Sequence, residues 1–305
     1  ELPRMADAPE GVRLAIAAPR GEAKSTFVSL FFVLWAVLTG RKHYILIIAD
    51  ALEQAASLLG AVKDELEFNE ALKRDFPGAG KGHVWNVGTV VTPGNVKIQA
   101  LGAGKRMRGL RHGPHRPDLI VLDDLENDGN VDKPEQRDKL QSWLQKTVLN
   151  LGAADGSMDV VYVGTLLHYD SVLARTLRKP LWKARTFRSI LRWPDRMDLW
   201  DEWESLLSSR GEAEARRFYR QHRVKMEAGA EVSWPASRPL YRLMCLRAED
   251  REAFDSEQQN DPLSTNEAPF NGCITFWVDR SRDWLLVGAG DPSLGKQGAG
   301  RDTSA

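Results

Sequence analysis

The chain has 305 residues, enough for one large domain or two. Its 42 Lys and Arg offset 42 Asp and Glu, so net charge by itself points to no partner. The two cysteines, Cys245 and Cys273, lack the spacing of a metal cluster and read as reduced thiols of a cytosolic protein. The first residues do not read as a signal peptide, and the apolar run Phe27–Leu38 falls short of the ~20 residues that span a bilayer, so no membrane partner is expected. The chain starts without Met and stops inside a strongly patterned region, which reads as a fragment at both ends.

The first expected strand, Leu14–Ala18, runs into Ala18-Pro19-Arg20-Gly21-Glu22-Ala23-Lys24-Ser25-Thr26, and a buried helix is expected over Thr26–Leu38. Strand, loop and helix in this order make a phosphate-binding loop, because successive backbone N–H groups and a helix N-terminus then point at one anion. Pro19, Arg20, Gly21, Glu22, Ala23, Lys24, Ser25 and Thr26 are the candidate nucleotide-binding residues. Lys24 would reach the β- and γ-phosphates and the Ser25 hydroxyl would hold Mg²⁺. Ala18 and Ala23 stand where the pattern G-x-x-x-x-G-K-[ST] has glycines, and Ala23 has less freedom than glycine to take φ > 0.

A buried strand follows at Tyr44–Ala49, then an amphipathic helix at Ala51–Glu67 and a hairpin over Val90–Ala100 about Pro93-Gly94-Asn95. Lys97, Lys105, Arg106, Arg108, Arg111 and Arg116 then fall within twenty residues. This stretch reads as a solvated loop, as phosphate contacts on DNA, or as an arginine offered to a neighbouring subunit's ATP; Arg106, Arg108 and Arg111 are the candidates for the last two. His112 and His115 read as loop residues rather than metal ligands.

Pro117–Glu126 is an aliphatic run ending in carboxylates. The run reads as a buried parallel strand, Leu119–Leu122, and carboxylates past its C-terminal end lie in the crevice where open α/β sheets bind ligands. Asp123 is placed to hold Mg²⁺, and either Asp124 or Glu126 to orient the attacking water. A helix is expected over Pro134–Val148, with Pro near its first turn, a short strand over Val160–Val163 and a helix over Ser171–Leu177. The alternation argues for a mostly parallel sheet with helices on both faces. From Trp193 the pattern becomes charged and helical, as in Glu212–Met226, with Trp193, Trp200, Trp203 and Trp234 read as anchors of a small core. From Cys273 it turns strand-like, at Ile274–Val278 and Trp284–Ala289.

With these residues in hand, the chain resembles the large subunit of a tailed-phage terminase, the DNA-packaging motor. The segments that carry the resemblance are Pro19–Thr26; Arg108-Gly109-Leu110-Arg111 with Arg116-Pro117-Asp118; Leu122-Asp123-Asp124; Gly164-Thr165 with His168 and Asp170; Phe254–Pro262; and Gly290-Asp291-Pro292-Ser293 followed by Gly300–Ala305. The resemblance implies a P-loop ATPase domain over residues 1–194, a helical linker or lid over 195–265, and the start of an RNase H-like nuclease over 266–305. It implies ATP and Mg²⁺ as cofactors of the ATPase, and Mg²⁺ or Mn²⁺ for the nuclease. Arg20 corresponds to an arginine that could stabilise charge at the γ-phosphate. Asp123 corresponds to the Mg²⁺ carboxylate. Where the family places a catalytic Glu this chain has Asp124, so Glu126 stays a rival. Gly164 and Thr165 correspond to the segment that couples hydrolysis to movement, and Asp291 to the first metal ligand of the nuclease, with Asp302 a second candidate. Only that much of a two-metal site is present, so this chain is not expected to cut DNA. Double-stranded DNA, the portal protein, the small terminase subunit and a homo-oligomeric ring are the implied partners, and the host cytoplasm the implied location. The alternative is another P-loop ATPase acting on nucleic acid, helicase-like.

Overall fold

The computed structural model describes residues 1–8, 10–105 and 107–262. In chain order these residues form α1 (Leu2–Ala6), β1 (Arg13–Ala17), a π-helical segment (Thr26–Phe32) continuing as α2 (Val33–Leu38), β2 (Tyr44–Ala49), α3 (Leu52–Phe68), α4 (Glu70–Asp75), β3 (Val84–Trp85), β4 (Thr89–Val91) and β5 (Lys97–Gly102). There follow β6 (Leu119–Asp123), α5 (Asp128–Val131), α6 (Pro134–Lys146), β7 (Asp159–Gly164), α7 (Val172–Leu177), β8 (Lys183–Thr186), β9 (Ile190–Arg192), α8 (Met197–Arg210), α9 (Glu212–Glu227), β10 (Glu231–Val232), α10 (Leu240–Glu249) and α11 (Arg251–Glu257).

Eight strands form one sheet in the order β3-β4-β5-β2-β6-β7-β1-β8. The strands from β5 to β8 in this order are mutually parallel, and β4 and β3 close one edge as an antiparallel hairpin pair. The alternation of side chains along β2 explains the two-sided core. Ile45, Ile47 and Ala49 pack with Val28, Phe32, Leu59 and Val62 on one face. Tyr44, Leu46 and Ile48 pack with Leu144, Val148, Val172 and Leu173 on the other. Every residue of β2, β6 and β7 is buried. Each buried Val, Leu or Ile contributes about 1.5–3 kcal/mol. This is the α/β sheet flanked by helices that strand–helix alternation calls for.

Several local expectations change. The first helix begins as a π-helical turn, and Phe27 and Phe31 on it are 60% and 51% exposed; its start is only half buried because one edge faces away from the sheet. β8 is an addition: its burial pattern is open on both faces, so it lacks the apolar run that marks a strand. It pairs as the parallel edge strand beside β1, from Leu14↔Lys183 to Ala17↔Thr186.

Helices α8–α11 pack around their own core of Trp200, Trp203, Met226, Leu243 and Phe254. Trp200 donates its indole N–H to the Met226 carbonyl at 2.8 Å and meets Trp203 edge to face. Trp193 is partly exposed, with Phe254 beside it and the Arg247 guanidinium over its ring. Trp234 is 43% exposed, so the anchoring role falls on Trp200 and Trp203. Cys273, the strands expected beyond it, Asp291 and Asp302 lie outside the described residues, as does Arg106.

Candidate functional site

β1 delivers the loop Ala18–Ser25 to the C-terminal edge of the sheet, and β6 delivers Asp123 and Asp124 to the same edge. β7 lies between them. Its last residue, Gly164, pairs with Ala17, and its carbonyl accepts the Ala18 N–H at 2.9 Å. A Cβ on Gly164 would stand 3.4 Å from Asp124 Oδ1 and 3.2 Å from Leu173 Cδ2, so a side chain there would press on Leu173 and touch the carboxylate. Thr165 donates its hydroxyl to the Ala18 carbonyl at 3.2 Å. Gly164 and Thr165 therefore bracket the first residue of the loop.

Two non-glycine residues of this region have a left-handed backbone. Ala23 has φ +56° and Asp124 has φ +43°. The left-handed region costs an Ala residue about 1 kcal/mol or more, and an Asp less. The loop thus takes the glycine-like turn despite Ala23, with Gly21 also at φ +77°. Asp124 is held by its own N–H, which donates to the Val163 carbonyl at 3.0 Å, and by Lys24, whose Nζ lies 3.0 Å from Oδ2. Backbone strain of this kind persists only where the surroundings over-determine it, and it concentrates at ligand sites.

Asp123 is completely buried. Ser25 donates to its Oδ1 at 2.9 Å, and Ser29 donates to its Oδ2. Burial pushes its carboxyl up to about 6, opposed by the Ser29 hydrogen bond and reinforced by the neighbouring charge of Asp124. Ser29 is a residue that sequence reasoning passed over. Its signal was present, since it lies one turn beyond Ser25 on the same helical face.

Asp124 and Glu126 have different surroundings. The Glu126 carboxylate accepts the Val172 and Leu173 N–H groups at 2.6 and 3.0 Å and the Tyr162 hydroxyl at 3.1 Å. It caps the start of α7, where unsatisfied N–H groups need an acceptor. Burial nonetheless raises its pKa, against the pull of those donors. Asp124 has Lys24 as its side-chain partner and stands beside the loop 18–25.

Arg20, Lys24, Asp50, Asp124, Glu126 and Thr165 line a cleft of about 230 Å³ between the loop and the ends of the strands. Residues between 233 and 258 meet the loop from outside. The Arg20 guanidinium pairs with Glu257, and the Arg20 N–H donates to the Glu257 carbonyl at 2.9 Å. Glu22 accepts hydroxyl hydrogen bonds from Ser189 and Ser233. Arg238 lies directly over Gly21, where a Cβ would collide with its guanidinium. Glu257 is 237 residues from Arg20, and nothing local in the sequence links the two.

Arg108, Arg111 and Arg116 are exposed on the loop from β5 to β6. His112 and His115 bridge to each other within that loop, and His115 stacks on His43. Among the described residues no cluster of three or more His, Cys, Asp or Glu could hold a metal ion, and no helix is long and apolar enough to cross a membrane. A Mg²⁺ bound with a nucleotide needs fewer protein ligands, because phosphates and waters complete its shell. Ser25 and the buried Asp123, already in contact, supply hard oxygen donors of the right kind for such an ion.

Fold and site together define an α/β protein in which the loop 18–25 faces a carboxylate pair at the C-terminal edge of a mostly parallel sheet. No protein-family model matches the chain, and no curated protein matches it. Among solved structures it is similar to the large terminase ATPase domain of Thermus phage P74-26, at a TM-score of 0.43 and 15% identity, over 86% of this chain and 92% of that one. A point mutant of the same domain matches at a TM-score of 0.40 and 12% identity, over 86% and 93%. These are distant likenesses of fold and assign no role to any side chain.

Proposed function

We propose that the protein binds and hydrolyses ATP with Mg²⁺ in the cleft between the loop at residues 18–25 and Asp123-Asp124. The observation that carries this reading is the pairing of the two halves: Lys24 with Asp124 and Ser25 with Asp123, across an intervening strand. Lys24 binds the β- and γ-phosphates, and backbone N–H groups of the loop cradle the chain of phosphates. Ser25 and Asp123 hold Mg²⁺, which when bound neutralises phosphate charge. Asp124 orients the attacking water, and Arg20 stabilises charge at the γ-phosphate. Glu126 positions α7 and does not take part in proton transfer.

We assign the hydrolysis to movement of double-stranded DNA, as in a phage terminase large subunit. The order of the segments from Pro19 to Ala305 supports this, as do the exposed Arg108 and Arg111, which suit phosphate contacts or an arginine supplied to a neighbouring subunit. Portal protein, small terminase subunit and a ring of copies are the partners this role entails. Cleavage of DNA belongs to the longer protein, through Asp291, Asp302 and further ligands with Mg²⁺ or Mn²⁺.

Hydrolysis of ATP, measured with no DNA, with duplex and with single strands, tests the reading. We expect Mg²⁺-dependent turnover that duplex DNA stimulates and that Lys24→Ala abolishes. Turnover unchanged in Lys24→Ala would refute the site, and stimulation by single strands alone would favour the helicase-like alternative.

A further inference from the structure

β5 and β6 both flank β2 and run parallel to it. The chain therefore leaves β5 at one edge of the sheet and must return to the other edge before β6 begins. The six residues of β2 set those edges about 17 Å apart, at ~3.3 Å for each step. The connecting loop is pinned along this path. Near β5 the Ala103 N–H donates to the Ala49 carbonyl at 2.8 Å, and the Trp143 indole N–H donates to the Lys105 carbonyl at 3.0 Å. Midway, Met107 is buried with Leu122 and Leu144.

The anchor near β6 is built from histidines. His112 and His115 exchange N–H···O=C bonds of 2.8 and 2.9 Å across the turn Gly113-Pro114. His112 Nε2 lies 2.9 Å from the Asn95 carbonyl and 3.1 Å from Asn95 Oδ1. Both are acceptors, so Nε2 carries a proton and donates. The His115 ring lies flat on His43, with centroids 4.3 Å apart and planes 2° from parallel. His43 Nδ1 donates to Asp118 Oδ2 at 3.2 Å, and the same carboxylate accepts the His43 and Tyr44 N–H groups at 2.7 and 2.9 Å. Asp118 thus fixes the His43 ring, and that ring seats the turn.

Arg108 and Arg111 stand between two anchors, Met107 and His112. They and Arg116 are exposed, and among the described residues none of the three has a carboxylate partner. Arg111 adjoins the sheet edge opposite the nucleotide cleft. Several unpaired cations on one short loop suit a run of phosphates better than a single one. A loop held at both ends loses less conformational freedom on contact than a free one.

We propose that His43 and His115 are positioning residues, whose stack holds the basic loop in the conformation that meets duplex DNA. The inference rests on the DNA reading above.

The test is duplex affinity by fluorescence anisotropy across salt concentrations, for wild type, His115→Ala, His115→Phe and Arg111→Ala, with basal ATP turnover beside it. His115→Phe keeps a ring to lie on His43. We expect His115→Ala to weaken duplex binding about threefold to tenfold, the range a stacked ring pair supplies. Its salt slope should match wild type, because no phosphate contact is removed, and so should its basal turnover. His115→Phe should bind as wild type does, whereas Arg111→Ala should flatten the slope by about one contact. Trypsin should cut after Arg108 and Arg111 faster in His115→Ala than in wild type or His115→Phe, since cutting follows local opening. His115→Phe as weak as His115→Ala, or equal cutting in all three proteins, would overturn the inference and leave the DNA reading standing. Unchanged duplex affinity in His115→Ala with duplex-stimulated turnover lost would overturn it in favour of a neighbouring subunit as what the loop meets. A wild type that hydrolyses ATP and binds no duplex would overturn the DNA reading and the inference with it.

Discussion

Replacing Asp123 by Asn removes a charge from a place where burial makes the charge costly. Asp123 is completely buried at the end of β6, and its carboxyl is raised from 3.8 to about 6. A shift of this size is worth about 3 kcal/mol, at 1.36 kcal/mol for each pH unit. The sign follows from proton binding. Between pH 4 and about 6 the folded protein binds the proton more tightly than the unfolded chain, so stability falls as pH rises through that window. Above pH 6 the full penalty is present in the wild type. Asn carries no charge at any pH, and of the Ser25 and Ser29 hydroxyls one can donate to its amide oxygen while the other turns to accept from its NH₂. In the absence of metal, Asp123→Asn should therefore be more stable than the wild type at pH 8, by up to about 3 kcal/mol, and raise the melting temperature by roughly 6 °C. At pH 4.5 the advantage should fall to about 1 kcal/mol, because the unfolded carboxyl is still mostly ionised there. Added Mg²⁺ and ATP should restore the wild type and leave the variant unmoved. Thermal unfolding followed by circular dichroism at the two pH values, with chelator and then with Mg²⁺–ATP, measures each term. A variant no more stable than wild type at pH 8, or an advantage of equal size at both pH values, would refute the burial argument.

Asp124→Asn should reduce turnover by about 10²-fold or more with nucleotide binding retained, whereas Glu126→Gln should lower stability by about 1–3 kcal/mol, because its amide NH₂ replaces one of the two oxygens that accept the Val172 and Leu173 N–H groups and leaves a donor of α7 unpaired; rates and melting curves of the two variants separate the roles. Ala23→Gly relieves a left-handed residue, and thermal unfolding should show a gain of up to about 1 kcal/mol, with binding of ATP preserved. Mg²⁺-dependent turnover should fall as pH drops below about 6, where Asp123 takes up a proton, and raising Mg²⁺ should move the midpoint to lower pH because metal and proton compete. Arg108→Ala with Arg111→Ala should weaken duplex binding and flatten its salt dependence by up to about two phosphate contacts, measured by titration across salt concentrations.

The sequence by itself determined the layers and the parts that carry charge. Aliphatic runs such as Tyr44–Ala49 and Leu119–Leu122 have no polar face, so they had to be central parallel strands. The helix placement after Ser25 and the acidic end of β6 follow from local pattern alone. What distance along the chain hides, only the tertiary structure decided. β7 separates the strands bearing Lys24 and Asp123, so their approach is a product of sheet order, which no local signal encodes. Adjacency to Asp123 favoured Asp124 and left Glu126 a rival; in the fold α7 presents its N–H groups to Glu126 and Lys24 reaches Asp124. β8 is open on both faces and enters the sheet because β1 left an edge to pair. Glu257, Ser189 and Ser233 meet the loop 18–25 far from their own places in the chain, with α8–α11 packed around Trp200 and Trp203. A hydrogen bond between residues more than 150 positions apart depends on every intervening turn, and residue identity alone cannot specify it.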